Sequence, residues 1–464
     1  MSLIVMKFGG TSVESAEAMR RVRDIIRNSP GTSTCVVLSA CSGITNQLLR
    51  IGTVASEGNA EEAAGIVRTI IARHTAIMEE LLPAEKRTEV QAAIDVWSRE
   101  LLALVRGISI LGELTNRSLD ILASYGERFS TLIFEAYLRH EGTASALVDA
   151  RTFMITNAQF TKAVPDLAAT AERLQQTVRP LLTRGTVVVT QGFIGSTPTG
   201  ITTTIGRGGS DHSAALIGAL LDADEIQIWT DVDGILTADP SIIKTARRIR
   251  IMSFREASEL AYFGARVLHP ETILPAIEKN IPVLVLNSRR PSSPGTRIVA
   301  RPDTAQHCTI KSVAYKENIS LISIVSTRMF MAHGFLENIF DVFHKYRTVV
   351  HTVATSDVSV SVTVNDVSHL GEILDELRQF STVTVDSGKA IVCVVGDNLR
   401  NSIGVAARIL LPLSRLNVNI NMISQGASEI NLSFVIDESN VPTAVQALHA
   451  EFFDNGNPDP EIFD

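Results

Sequence analysis

Three short strings in this chain set glycines beside a charge and ahead of a helical pattern, an arrangement suited to binding anions. The first is Lys7-Phe8-Gly9-Gly10-Thr11-Ser12, directly after an apolar opening run. Glycine lets a backbone N–H come close to a phosphate, and the lysine adds positive charge. Thr11 and Glu14 stand at capping-box spacing, which predicts a helix N-terminus at the same spot. The pattern is not GxxxxGK[ST], so a P-loop is not supported. Taken alone, the string also reads as an ordinary strand-to-helix turn. The second is Thr202–Asp211 (TTTIGRGGSD), where Gly206, Gly208 and Gly209 surround Arg207 before a clear helix. Arg207 can grip a carboxylate through two parallel hydrogen bonds, with Gly208, Gly209 and Ser210 beside it. Ser210 or Asp211 is the expected N-cap. The third is Trp229–Pro240, a loop containing Thr230, Asp231 and Gly234 after a buried strand pattern. Loops at the carboxyl ends of parallel strands hold nucleotides in α/β folds. A structural Asp-Gly turn fits those residues equally well.

Weaker strings are Ser39–Thr45 (SACSGIT), Tyr125-Gly126-Glu127 and Phe263–Pro270 (FGARVLHP). His269 precedes a proline and reads as a helix-boundary residue. The 10 histidines fall into no triad and no metal pattern. The 4 cysteines are scattered without CxxC spacing, which fits a reduced, cytoplasmic compartment. A net charge of −8 argues against a nucleic-acid surface, and no apolar run approaches the roughly 20 residues of a membrane span. The opening run lacks the pattern of a signal peptide.

These strings need elements to hold them. At 464 residues the chain is too long for one ordinary core. Up to about residue 295, β-branched runs alternate with helical patterns. The runs Leu3–Phe8, Cys35–Ser39, Ala144–Val148, Thr186–Thr190, Glu225–Trp229 and Ile281–Leu286 read as buried strands. Helical patterns cover Ser15–Arg27, Asp120–His140, Asp166–Thr183 and Asp211–Leu221, and Glu61–Arg106 reads as an inserted helical layer. Such alternation predicts a largely parallel sheet covered on both faces. The proline-rich Ser288–Pro294 (SRRPSSP) marks the expected domain boundary.

Beyond it the order is βαββαβ over residues 317–387, and roughly 70 residues later the same order starts again. Gly334 and Gly404 each open a helix, and Ser356 and Ser424 each close a strand. The second copy, 388–464, runs out before its last strand. A strand-like run upstream, within 305–316, can complete it, so the first module would be inserted within the second. A linker strand beside a truncated copy is the plainer reading, but it leaves a sheet edge uncovered.

The full set of strings resembles the aspartate kinases. Lys7–Val13 (KFGGTSV), Val37–Thr45 (VLSACSGIT), Gly126-Glu127, Gln191–Gly195 (QGFIG), Thr202–Asp211, Thr230–Gly234 and Phe263–Pro270 occur in that family's order. The resemblance spans essentially the whole chain and is to the monofunctional, lysine-sensitive type. It implies an amino-acid kinase fold over 1–295, a mostly parallel sheet between helices, followed by two interleaved ACT modules. It implies ATP, Mg²⁺ and L-aspartate as reactants, with 4-phospho-L-aspartate formed at the head of lysine, threonine and methionine biosynthesis. Carried over position by position, Lys7, Gly9 and Gly10 hold the transferred phosphoryl group, and Asp211 lies between the two substrates. Thr45, Glu127, Arg207, Gly208, Gly209 and Ser210 form the aspartate site, with Glu127 near the α-amine. Phe8, Thr230, Asp231, Leu236, Ser241, Arg266 and Val267 fall on the nucleotide site, and no protein-held metal is expected. The effector positions are Met329, Gly334, Phe335, Leu336, Val350, His351, Thr355 and Ser356, with lysine or threonine as the amino-acid effector.

Some positions depart from the pattern. Leu236 and Ser241 stand where a tyrosine and an arginine are usual, and Arg266 where a lysine is common. Loss of an aromatic stack and a charged contact predicts altered ATP binding. Met331 and Ala332 replace a histidine and a serine, and His351 replaces an aspartate able to face a cationic ligand. An imidazole does not attract a lysine ammonium, so a weak response to lysine is expected. Two other readings stay open: a kinase of the same fold acting on another carboxylate, and an amino-acid sensor with a silent kinase domain. An exposed sheet edge on an ACT module implies a homodimer or homotetramer through those modules.

Overall fold

The computed structural model describes residues 2–29, 32–263, 270–302, 310–326, 334–425, 430–454 and 461–464. The chain divides into two compact units: Met1–Ile235 with Val267–Arg301, and Leu236–Arg266 with Pro302–Asp464.

The first unit is built on β1 (Ser2–Phe8), α1 (Ala16–Arg27), β2 (Thr32–Leu38), α2 (Ile44–Ser56), α3 (Ala60–Leu81), α4 (Thr88–Leu111), α5 (Asn116–His140) and β3 (Ser145–Val148). It continues through α6 (Leu167–Thr177), α7 (Arg179–Thr183), β4 (Val187–Gln191), β5 (Ile194–Ser196), β6 (Thr202–Thr204), α8 (Gly209–Leu220) and β7 (Glu225–Thr230). Next come β8 (Ile251–Ser253) and α9 (Phe254–Tyr262), which belong to the second unit, and then the first unit's α10 (Leu274–Glu278), β9 (Val283–Asn287) and β10 (Thr296–Val299).

Within the first unit the sheet order is β3-β4-β2-β1-β7-β9-β10. Every neighbouring pair is parallel except β9 and β10. β1 is central, and the chain builds outward from it on both sides. That is the switch point at which open α/β sheets bind ligands, outside the strands' carboxyl ends. Helices α2 to α5 bury Ile44, Leu48, Ile70, Ile94, Leu101, Phe129 and Phe134 against the strand residues Phe8, Val36 and Leu38.

Four expectations are corrected. Thr11 and Glu14 form no capping box: Gly10–Ser12 is a 3₁₀ turn, and Ser15 caps α1 by accepting the Ala18 N–H. The helical pattern over Asp166–Thr183 is two helices, because Pro180 has no N–H to continue the first. The Ser288–Pro294 stretch is not the boundary. It joins β9 to the antiparallel β10, and the first unit runs on to Arg301. Residues 236–266, expected in the first unit, cluster with the second.

The second unit adds β11 (Ile310–Val325), α11 (Phe335–Lys345), β12 (Val350–Thr355), β13 (Ser359–Val364), α12 (Leu370–Leu377), β14 (Thr382–Gly396), α13 (Val405–Arg415), β15 (Met422–Ser424), β16 (Asn431–Asp437) and α14 (Val441–His449). Its sheet order is β12-β13-β11-β14-β16-β15, antiparallel throughout. Two long strands, β11 and β14, run through both modules. Ile319–Val325 pairs with Thr382–Lys389, while Ile310–Lys316 pairs with Ile391–Gly396. The upstream run therefore supplies the strand that the second copy lacks, and the two modules are interleaved. The sequence broke each of these strands in two because a register shift falls between Lys316 and Ile319.

Candidate functional site

Ala40, at the carboxyl end of β2, is where the glycine loop and α5 meet. A Cβ on Gly10 would stand 2.8 Å from the Ala40 carbonyl oxygen and 3.2 Å from Ser42 N, closer than side chains tolerate. Glycine is thus required for the loops after β1 and β2 to touch, and Ser42 N–H donates to the Gly10 carbonyl at 3.1 Å. Gly9 N–H donates to Trp229 O at 3.1 Å, tying the same loop to the end of β7. On the helix side, a Cβ on Gly126 would lie 2.7 Å from Ala40 Cβ. This brings the next residue, Glu127, under the Ala40 N–H, from which its Oε1 accepts at 3.2 Å.

Glu127 is buried, and its Oε2 has no hydrogen-bond partner among the described residues. Burial pushes its carboxyl up to about 8, against the smaller opposing effect of the Ala40 N–H. A buried carboxylate short of a partner is a site for a cation.

Lys7 Nζ and Asp211 Oδ1 form an ion pair at 2.6 Å, with side chains 11% and 16% exposed. Lys7 comes from the end of β1 and Asp211 from the first turn of α8. Helix α8 opens on Gly208, left-handed at φ 72°, and not on a side-chain cap at Ser210 or Asp211 as expected. Asp211 is left to hold the lysine. Gly209 is forced by contact: a Cβ there would meet the Phe193 ring at 2.8 Å. Gly192 likewise backs onto Ser210, whose Cβ would lie 2.6 Å away.

Arg207 projects from this loop and is exposed; Thr45 sits half-buried in the first turn of α2, behind the left-handed Gly43. Thr230 and Asp231 lie at the end of β7, where the Thr230 carbonyl accepts from the N–H and the hydroxyl of Ser288. The first unit therefore gathers Lys7, Gly9, Gly10, Thr45, Glu127, Arg207–Asp211, Thr230 and Asp231 at the carboxyl edge of one sheet. Phe8 differs from expectation. It is fully buried and stacks on Trp229 at 5.8 Å, so only its backbone is available to a ligand. Leu236 and Ser241 belong to the second unit: the Leu236 carbonyl accepts from the Ser312 hydroxyl, and Ser241 N–H donates to Asp239. Arg266 and Val267 lie outside the described residues.

Supporting residues carry no sequence signal of their own. Asp120 is buried in α5 and accepts from Thr161 N–H, Thr204 N–H and Thr204 Oγ1, the last at 2.6 Å. It anchors β6, from which the Arg207 loop departs. Arg73 of α3 donates to Ser42 O at 2.8 Å and Glu14 O at 3.1 Å, clamping the loops after β1 and β2 together. Ser12 Oγ donates to Ser288 Oγ at 2.8 Å across 276 positions. An isolated Asp or Arg in a helix pattern cannot be told from a solvated one without the partners.

In the second unit, Gly334 starts α11 in the left-handed region at φ 80°. Phe335 is core, edge-on to Phe380, whereas Leu336 is exposed. Val350 and His351 lie on β12, and Thr355 and Ser356 end it, with Ser356 and Ser359 hydroxyls 2.7 Å apart. Met329, Met331 and Ala332 lie outside the described residues.

Comparison with known proteins fits this geometry. A model described as Amino acid kinase family matches residues 2–287, and one described as ACT domain matches residues 392–452. Aspartokinase 1, chloroplastic, of Arabidopsis thaliana is 39% identical over 469 residues, spanning 98% of this chain and 80% of that protein. Lysine-sensitive aspartokinase 3 of Escherichia coli (strain K12) is 37% identical over 461 residues, 97% of this chain and 99% of the other. Among solved structures, E. coli aspartokinase III with aspartate and ADP (R-state) matches at a TM-score of 0.83 and 36% identity, covering 97% of this chain and 100% of that one. The same protein with lysine and aspartate (T-state) matches at 0.80, covering 97% and 99%. The chain belongs to the aspartokinases, kinases of aspartate that join an amino-acid kinase domain to ACT modules.

Proposed function

We propose that the residues gathered at the carboxyl edge of the β1-centred sheet carry the phosphorylation of the aspartate side chain, each in a separate role. The observation that carries this is the buried Glu127 carboxylate with a free Oε2. An α-ammonium is the cation that fits it, and the Arg207 guanidinium in the same loop cluster can take the α-carboxylate in two parallel bonds. Thr45 and Ser210 complete the polar lining. The substrate's side-chain carboxylate is then left to attack.

That nucleophile is ionised at neutral pH, since an aspartate side chain has a pKa of about 3.9. No general base is needed. The obstacle is an anion approaching an anion. Lys7 and the backbone N–H groups of the Gly9-Gly10 turn offset it, and Asp211 orients Lys7 through their ion pair. Among the described residues no group of three His, Cys, Asp or Glu could hold a metal ion. Mg²⁺, carried on the nucleotide phosphates, would neutralise charge there.

ATP is the phosphoryl donor in this reading, held by the Lys7–Gly10 turn and by Thr230 and Asp231. The ACT modules bind an amino-acid effector around Gly334, Leu336 and His351, and their edges pair two chains into a homodimer or a higher assembly. The test is trapping of the acyl phosphate with hydroxylamine in Mg-ATP and either L-aspartate or L-glutamate. Hydroxamate from aspartate in the parent chain, and far less from Glu127→Gln at low aspartate, supports these roles. Unchanged turnover in Glu127→Gln at low aspartate would overturn the assignment of Glu127.

A further inference from the structure

The regulatory unit contains a polar cluster with a cation in it and, among the described residues, no acid. Lys316 of β11 places Nζ 3.2 Å from His351 Nε2 and 3.5 Å from its Nδ1. His351 Nε2 is 2.7 Å from Asn365 Oδ1, and Nδ1 is 3.1 Å from the Tyr262 hydroxyl. These two contacts assign the ring: Nε2–H donates to Asn365, and Nδ1 accepts from Tyr262. Neither nitrogen retains a lone pair for Lys316. The ammonium also lies 5.7 Å over the Tyr262 ring. Among the described residues it forms no ion pair with a carboxylate. Its burial disfavours the charged form with no acid to offset the effect, and His351 is held in its neutral form by burial and by Lys316.

A half-buried ammonium and a side-chain amide, converging beside a neutral imidazole with no acid among the described residues, form a donor set for an anion. The same set repels a cation, because nothing in it returns negative charge. We infer that Lys316, His351 and Asn365 form a carboxylate-binding subsite on the regulatory sheet, selecting effectors with an acidic or neutral side chain against those with a cationic one. This rests on the reading of the first ACT module as an effector-binding module and adds its charge preference. Tyr262 extends the consequence to α9: a carboxylate that draws His351 and Lys316 toward itself competes with the Tyr262–His351 hydrogen bond between β12 and the end of that helix.

The test is calorimetric titration of the full chain, in the Glu127→Gln background so that an amino acid does not report through the catalytic site. The probes are L-glutamate and L-lysine. Glutamate should bind and lysine should not, and Lys316→Met should weaken glutamate by about tenfold or more, the value of one charge-assisted hydrogen bond. Lys316→Glu should reverse the preference. In the parent catalytic background, Lys316→Met should leave kcat without effector unchanged, which separates lost binding from misfolding. Lysine binding as tight as glutamate, or glutamate binding insensitive to Lys316→Met, overturns the charge assignment while the effector module stands. Binding of neither probe, with threonine also inert, overturns both.

Discussion

Lys7 Nζ stands 2.6 Å from Asp211 Oδ1, joining the carboxyl end of β1 to the amino end of α8. The pair is nearly buried at the edge of the sheet, so its charges are only weakly screened. Lys7→Met should cut kcat by about 100-fold or more, the usual effect of removing one donor that faces developing charge. Asp211→Asn should keep the fold and lower kcat less, because Lys7 stays but is no longer oriented. Steady-state kinetics beside circular dichroism check both; equal losses in the two variants would argue for a shared structural role.

Glu127 sets a pH dependence whose sign can be worked out. Its carboxyl is raised from an ordinary 4.5 to about 8, chiefly by burial. The folded chain therefore holds a proton that the unfolded chain releases. Stability falls as pH rises from about 4.5 to about 8, and the full loss is present above that range. Binding of an ammonium needs the ionised form, so kcat/KM for aspartate should climb with pH toward about 8. Glu127→Gln should flatten that limb, raise KM by about tenfold or more, and raise the unfolding midpoint at pH 8. A pH series of kinetics and thermal melts on both proteins reads all three.

Gly10 is fixed by a neighbour and not by its own dihedrals. A Cβ there meets Ala40 O at 2.8 Å, and both atoms belong to backbone that other bonds hold in place. Gly10→Ala should cost about 1–3 kcal/mol of stability and displace the loop. Turnover should fall further than stability alone accounts for. Denaturant unfolding compared with kcat measures the two effects.

The second unit depends on one buried ion pair. Lys311 Nζ and Glu256 Oε2 are 3.0 Å apart at 2% and 1% exposure. Glu256 also accepts from Ser253 N–H and hydroxyl, closing the capping box at the start of α9. Lys311→Met leaves an uncompensated carboxylate and should destabilise by about 3–5 kcal/mol. The double variant Lys311→Met/Glu256→Gln should recover most of that while losing part of the cap. Chemical unfolding of the parent, Lys311→Met, Glu256→Gln and the double variant forms the cycle; additive effects would show that the pair does not interact.

The order of motifs, the alternation of strand and helix and the repeat of βαββαβ are all present in the one-dimensional pattern. They follow from local rules: glycines where backbone must approach, β-branched runs where strands are buried on both faces, and a helical period between them. Lys7, Gly9, Gly10 and Arg207 were legible for that reason, whereas Glu127 stood out only through the resemblance of the whole set of strings. Tertiary structure decided what those residues do to one another. Asp211 reads as a helix cap in sequence, yet it is Lys7 from the far end of the chain that takes its carboxylate. Ser288–Pro294 reads as a boundary, yet it is a turn, because β10 finds its partner in β9. Phe8 reads as part of a phosphate loop, yet Trp229 covers its ring. Asp120 and Arg73 carry no sequence signal, since the backbone groups that use them come from loops 40 or more positions away in one case and 31 and 59 in the other. Long-range pairing determines which polar group is satisfied and which is left for a ligand, and among the described residues Glu127 Oε2 is left without a hydrogen-bond partner.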